Sequence, residues 1–139
     1  MNIQKFVKYY RKSKKAIKKK NASLYKFIPA DVGIGFFTKK DTNNWKPPII
    51  QSKHAIAART FDKHGRLGWV ILLNKKFIEN LRRRYFRKMP ELEEQVLCHI
   101  MVHELIHIAS FEKIEKKAYK LFENEKYTDK LTDKIWPLK

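Results

Sequence analysis

At 139 residues the chain has the commonest length for one domain, enough to bury roughly two-thirds of its unfolded surface without a covalent staple. A lone cysteine, Cys98, excludes an internal disulfide and points to a reducing compartment. No apolar run reaches bilayer length and residues 1–20 lack the apolar segment of a secretory signal, so the expectation is a cytoplasmic protein with no membrane association.

The net charge of +18 is unevenly spread: residues 1–90 carry 24 bases and four acids, residues 91–139 eight bases and ten acids. Such asymmetry suits a face that meets a polyanion such as nucleic acid, although a solvated lysine-rich surface gives the same count. In residues 2–20, Ile3, Phe6, Val7, Tyr10 and Ile17 fall near helical spacing among lysines and arginines. This predicts a basic amphipathic helix, an N-terminal extension docked by a narrow apolar stripe. Residues 28–53, with Pro29, Gly33, Gly35, Pro47 and Pro48, read as loop with a short extended piece at Ile34 to Thr38.

His54 to Phe61 and Leu67 to Leu73 are strand-like runs around Asp62-Lys63-His64-Gly65, which predicts a β-hairpin. Asn74 is placed to cap a helix through about Tyr85, with Phe77, Ile78, Leu81 and Tyr85 inward. That helix displays Arg82, Arg83, Arg84, Arg87 and Lys88, the residues expected to bind nucleic acid if any do. Pro90 opens the main helix, and Glu91, Glu93 and Glu94 complement its amino-terminal dipole. From Leu92 to Ala109 nearly every position other than His and Glu is apolar, the pattern of a helix buried on most sides. A turn near Ser110 leads to a second helix. The expected fold is a small α+β domain spanning residues 1–139, its active-site helix packed under a small sheet or hairpin with further helices on the other side.

His103-Glu104-Leu105-Ile106-His107 is an H-E-x-x-H motif on that helix. Residues four apart share one helix face, so the imidazoles of His103 and His107 can converge on one zinc ion. Glu104, one residue past the first ligand, is rotated off the ligand line yet stays near a metal-held water, where it can act as general base. The plain alternative is two core histidines satisfied by hydrogen bonds. His99 extends the row, but the outer pair on one straight helix would stand roughly 12 Å apart, so it is expected to be buried or supporting rather than ligating. His54 and His64 read as structural or exposed.

A catalytic zinc needs a third protein ligand, and no histidine follows His107. Glu112, Glu115, Tyr119 and Glu123 share one face of the next helix, opposite Ile114, Ala118, Leu121 and Phe122. Glu112 is close to His107 in sequence, which leaves Glu115 first, Glu123 next, then Glu125 and Asp129. Tyr119 or Tyr127 could donate to a developing oxyanion.

A strand, Trp69 to Asn74, ahead of a helix holding Val102 to Ala109 resembles the zincin-type metallopeptidases, in particular small SprT-like and ImmA/IrrE-type proteins. The resemblance covers about residues 54–125 and its specific part is the five-residue motif. It implies that a strand along the cleft, here Val70, Ile71, Leu72 and Leu73, binds the substrate main chain. Glu115, Ala118 and Phe122 loosely echo the downstream pattern of the ImmA/IrrE type, whereas the third histidine usual in SprT-like members has no counterpart. The leading expectation is zinc-dependent hydrolysis of a protein or peptide, with recruitment to nucleic acid by the basic surface. The alternatives are a nucleic-acid-binding protein with a structural metal, or a metal-bearing protein that captures a partner without cutting it.

Overall fold

A computed structural model describes residues 3–38, 55–61, 67–113 and 121–138. Helix α1, Ile3–Lys20, buries Phe6, Tyr9, Tyr10, Ser13 and Ile17, a stripe at spacings of three and four. Ile3 is 40% exposed. The inward face is thus rotated toward Tyr9 and Ser13. A short helix α2, Ala22–Tyr25, follows at once, capped by Asn21, whose Oδ1 accepts from the Leu24 amide at 3.2 Å.

Three strands, β1 (Val32–Phe37), β2 (Ala55–Phe61) and β3 (Leu67–Asn74), form one sheet in the order β1-β3-β2. β1 runs parallel to β3, pairing Ile34 with Ile71 and Phe36 with Leu73. β2 runs antiparallel to β3, with Ala57 opposite Ile71 and Ala55 opposite Leu73. The predicted hairpin pairing is present, and the extended piece is a full strand. The period of two sends Ile34, Phe36, Ala55, Ala57, Trp69, Ile71 and Leu73 into the core. On the other face Leu72 crosses the parallel neighbour so closely that a Cβ at Gly35 would meet its Cδ2 at 3.2 Å, which favours glycine there.

Asn74 ends β3 and caps helix α3, Lys75–Leu81, its Oδ1 accepting from the Phe77 amide at 3.2 Å. The helix then widens into a π turn, Arg82–Phe86, closed by the Arg87 amide donating to the Arg82 carbonyl at 3.1 Å. A π turn takes in one extra residue. Phe86 therefore turns into the core, and Tyr85, expected inward, is 52% exposed.

Helix α4, Glu91–Lys113, starts directly after Pro90 and buries thirteen residues around its whole circumference. The turn expected near Ser110 is absent. No glycine or proline interrupts the helix, and Phe111 continues the packing with its ring 5.2 Å from that of Trp69. Helix α5, Leu121–Ile135, lies along α4. The layers are the sheet, then α1 and α4 beneath it, then α5 on α4. One hydrophobic cluster draws on α1, α2, the three strands, α3, α4 and α5, so α1 belongs to the core rather than standing as an extension. Among the described residues no helix is long and apolar enough to cross a membrane.

Candidate metal centre

The middle of α4 carries both histidines of the motif toward α5. His107 is buried and His103 half-buried, with ring centroids 4.7 Å apart and ring planes at 75°. Their Nε2 atoms approach to 3.1 Å. Glu104, 6% exposed, sits one residue on from His103.

The outer ring nitrogens have partners on α5. Asp129 Oδ1 lies 3.2 Å from His103 Nδ1, and Thr128 Oγ1 lies 3.5 Å from His107 Nδ1. A carboxylate only accepts, so the His103 Nδ1 carries a proton, and the tautomer with that proton alone leaves Nε2 bare. The Thr128 hydroxyl can hold His107 in the same tautomer by accepting from Nδ1–H. Two bare nitrogens at 3.1 Å repel unless something electropositive lies between them, a proton or a cation. Zinc–nitrogen bonds of about 2.0–2.1 Å at tetrahedral angles put two ligand nitrogens roughly 3.3 Å apart. The observed separation and the outer-nitrogen partners both fit a metal held by two imidazoles. Burial first, then the neighbouring His103 imidazole, pull the His107 pKa down to about 4 against the opposing pull of Asp129, so this ring is neutral near pH 7.

Among the described residues no cluster of three or more His, Cys, Asp or Glu suited to a metal occurs. Glu115, Tyr119, His54 and His64 lie outside the described residues, as do the side chains of Glu123 and Glu125. Asp129, a reserve ligand in the sequence reading, is at the outer nitrogen of His103 instead. Glu112 is engaged elsewhere, accepting from Trp69 Nε1 at 2.9 Å. His99 Nδ1 lies 2.7 Å from the Trp136 carbonyl and ties α4 to the end of α5. Tyr127 is 49% exposed. Thr128 was not among the residues expected at the site. Its mark in the sequence is the pair Thr128 and Thr132, four apart, and the structure buries both.

Two expectations are corrected. Val70 to Leu73 cannot take a substrate main chain by strand addition, because β3 is the central strand and both its edges are already in ladders. Arg82 is not free for nucleic acid. Its Nη2 and Nε donate to Glu93 Oε1 at 2.7 and 3.2 Å, and its guanidinium lies 5.5 Å from the centre of the Phe6 ring. Glu93 is 5% exposed and also accepts from Lys5 Nζ at 3.0 Å, so it joins α1, the π turn and α4.

Comparison of the chain with family models, with curated proteins and with solved structures finds no match.

Proposed function

We propose that the chain is a zinc-dependent peptidase in which His103 and His107 hold the metal and Glu104 is the general base. The observation that carries this reading is the 3.1 Å approach of two Nε2 atoms whose outer nitrogens are both engaged by α5. Glu115 is assigned as the third ligand, with Glu123 the alternative. Bound zinc supplies Lewis acidity and a water whose pKa falls to about 7. The Glu104 carboxylate takes a proton from the attacking water and returns it to the leaving amine nitrogen. Asp129 and Thr128 keep the imidazoles in the tautomer that leaves Nε2 unprotonated.

Peptide backbone binding passes from β3 to β2. Among the strands α4 packs chiefly against β2, and no described strand pairs with the outer edge of Ala55–Phe61. An extended substrate adding there would be held by main-chain hydrogen bonds on the strand that packs against the motif helix.

The test is zinc per chain together with hydrolysis of an unfolded protein. The native chain should hold about one zinc. His103→Ala should lose it, as should one of Glu115→Ala and Glu123→Ala. Glu104→Gln should keep it while hydrolysis falls by about 10²-fold or more. A native chain that takes up no zinc, or a Glu104→Gln variant that cleaves at the native rate, overturns the reading.

A further inference from the structure

The exposed side of α1 and the π turn both carry rows of cations, and Glu93 links the two. Lys8, Arg11, Lys15 and Lys18 follow one another at spacings of three, four and three, all exposed, with Lys19 beside them. That places them on a single strip about 16 Å long. Lys5 and Lys12 are paired with Glu93 and Glu94 on α4. Among the described residues no carboxylate pairs with Lys8, Arg11, Lys15 or Lys19. Glu93 bridges Lys5 to Arg82 and so ties the strip to the π turn and its end, where Arg83, Arg84, Arg87 and Lys88 are all exposed. Next to them a groove is lined by Lys76, Asn80, Arg83 and Arg87, with Glu79 on its wall.

Tyr85 gives this surface more than charge. The π turn carries Phe86 inward and leaves Tyr85 52% exposed within the run of arginines. A half-exposed ring among cations is how a protein stacks an unpaired base while holding the flanking phosphates. A duplex, its bases already stacked, offers that ring nothing. A membrane surface is disfavoured on equal grounds. A helix that lies in the lipid interface needs a free apolar face, and α1 has committed Phe6, Tyr9, Tyr10 and Ile17 to the core.

We propose that α1 and the π turn form a binding surface for single-stranded nucleic acid, with the α1 strip on the phosphates and Tyr85 stacked on a base. The surface is built from α1 and the π turn and shares no residue with the metal centre, so this inference stands or falls apart from the peptidase reading.

Fluorescence anisotropy of the full chain tests it, using a labelled oligothymidylate of about 20 nucleotides, a duplex of equal length, and phosphatidylserine vesicles as competitor. Binding to the single strand should weaken linearly in log–log against salt. Replacing Lys8, Arg11 and Lys15 together with alanine should flatten that slope by about 2, at roughly 0.7 per phosphate contact. Tyr85→Ala should lose about tenfold in affinity at an unchanged slope, while Tyr85→Phe keeps native affinity. Duplex binding should be weaker and indifferent to Tyr85. Glu104→Gln should bind as the native chain does.

The substitutions at Lys8, Arg11, Lys15 and Tyr85 sit on exposed side chains, and circular dichroism on melting confirms the fold. Should the triple variant fail to fold, Tyr85→Ala decides alone. Failure to bind the oligonucleotide at low salt, a Tyr85→Ala variant with native affinity, or displacement by vesicles at equal charge overturns the proposal.

Discussion

Helix α4 meets α1 on one side and α5 on another, and the two contacts are built from opposite materials. Toward α1, Ser13 Oγ donates to the Tyr9 carbonyl at 2.8 Å and reaches the Cys98 carbonyl at 3.3 Å, while the Cys98 thiol faces the Tyr9 carbonyl. Phe6 stands edge-on to Phe36 with centroids 5.0 Å apart, and the charges, Glu93 and Glu94, are met by Lys5, Lys12 and Arg82. Toward α5 the helix presents three imidazoles in a row, His99, His103 and His107, each tied to one group on or just beyond α5. The first contact gains from taking apolar surface out of water. The second buries polar rings that gain little from burial, which is the arrangement expected where a site is being held in shape. Apolar packing and ion pairs lie on the α1 side, and the imidazole contacts on the α5 side.

The largest effect that separates the two is Phe6→Ala. Phe6 has no exposed surface, and deleting a buried phenyl ring costs about 3–5 kcal/mol, a large share of the stability of a domain this size. Denaturant unfolding should show the loss in its midpoint. His99→Ala on the other side should cost less than half as much. Equal losses would mean that both contacts bear the fold alike.

A smaller effect comes from pH, and the two sides respond at opposite ends of the scale. Burial raises the Tyr9 hydroxyl from 10.0 to about 12 and the Cys98 thiol from 9.0 to about 11. Both are held protonated by the fold, so their contribution is complete below about pH 9 and is lost as pH rises toward 12. His107 moves the other way, from 6.5 to about 4. The folded state keeps it neutral, so in metal-free protein its contribution is complete above 6.5 and is lost as pH falls to 4. Each group should account for on the order of 1–2 kcal/mol after solvent screening. Cys98→Ala should flatten the alkaline limb and leave the acid limb alone, and His107→Asn should do the reverse. Melting temperature against pH for metal-free protein reads both.

Much of this arrangement was legible because local rules and the fold agree. The Asn74 cap, the hairpin pairing of β2 with β3, Pro90 ahead of a helix apolar all round, and the H-E-x-x-H spacing each rest on contacts a few residues long. What the chain hid depends on partners distant in sequence. Nothing in Val70 to Leu73 says that β1 will pair on one side while β2 pairs on the other, so an apparent edge strand is the central one. Periodicity assumes 3.6 residues per turn, and one π turn between Arg82 and Phe86 is enough to exchange Tyr85 for Phe86 in the core. Arg82 looked like part of a free cluster until Glu93, eleven residues on, claimed it. Thr128 and Asp129 acquire meaning only once α5 is laid against α4.

The smallest expected effect on stability is also the sharpest probe of the α5 side. Asp129 has 61% of its side chain exposed, so Asp129→Asn should change stability by no more than about 0.5 kcal/mol. In the α1 contact a change so harmless to the fold would be harmless altogether. At His103 it is not, because a carboxylate on Nδ1 raises the basicity of the imidazole and fixes its tautomer, and an amide does this less well. Zinc affinity should fall tenfold to a hundredfold, as measured by competition with a chelating dye, while metal-free melting is unchanged. The stabilisation gained on adding a fixed excess of zinc should shrink accordingly, since it grows with the logarithm of concentration over dissociation constant. If Asp129→Asn binds zinc as tightly as the native chain, Asp129 is an ordinary surface acid beside His103. The α5 contact would then have to be explained by packing, as the α1 contact is.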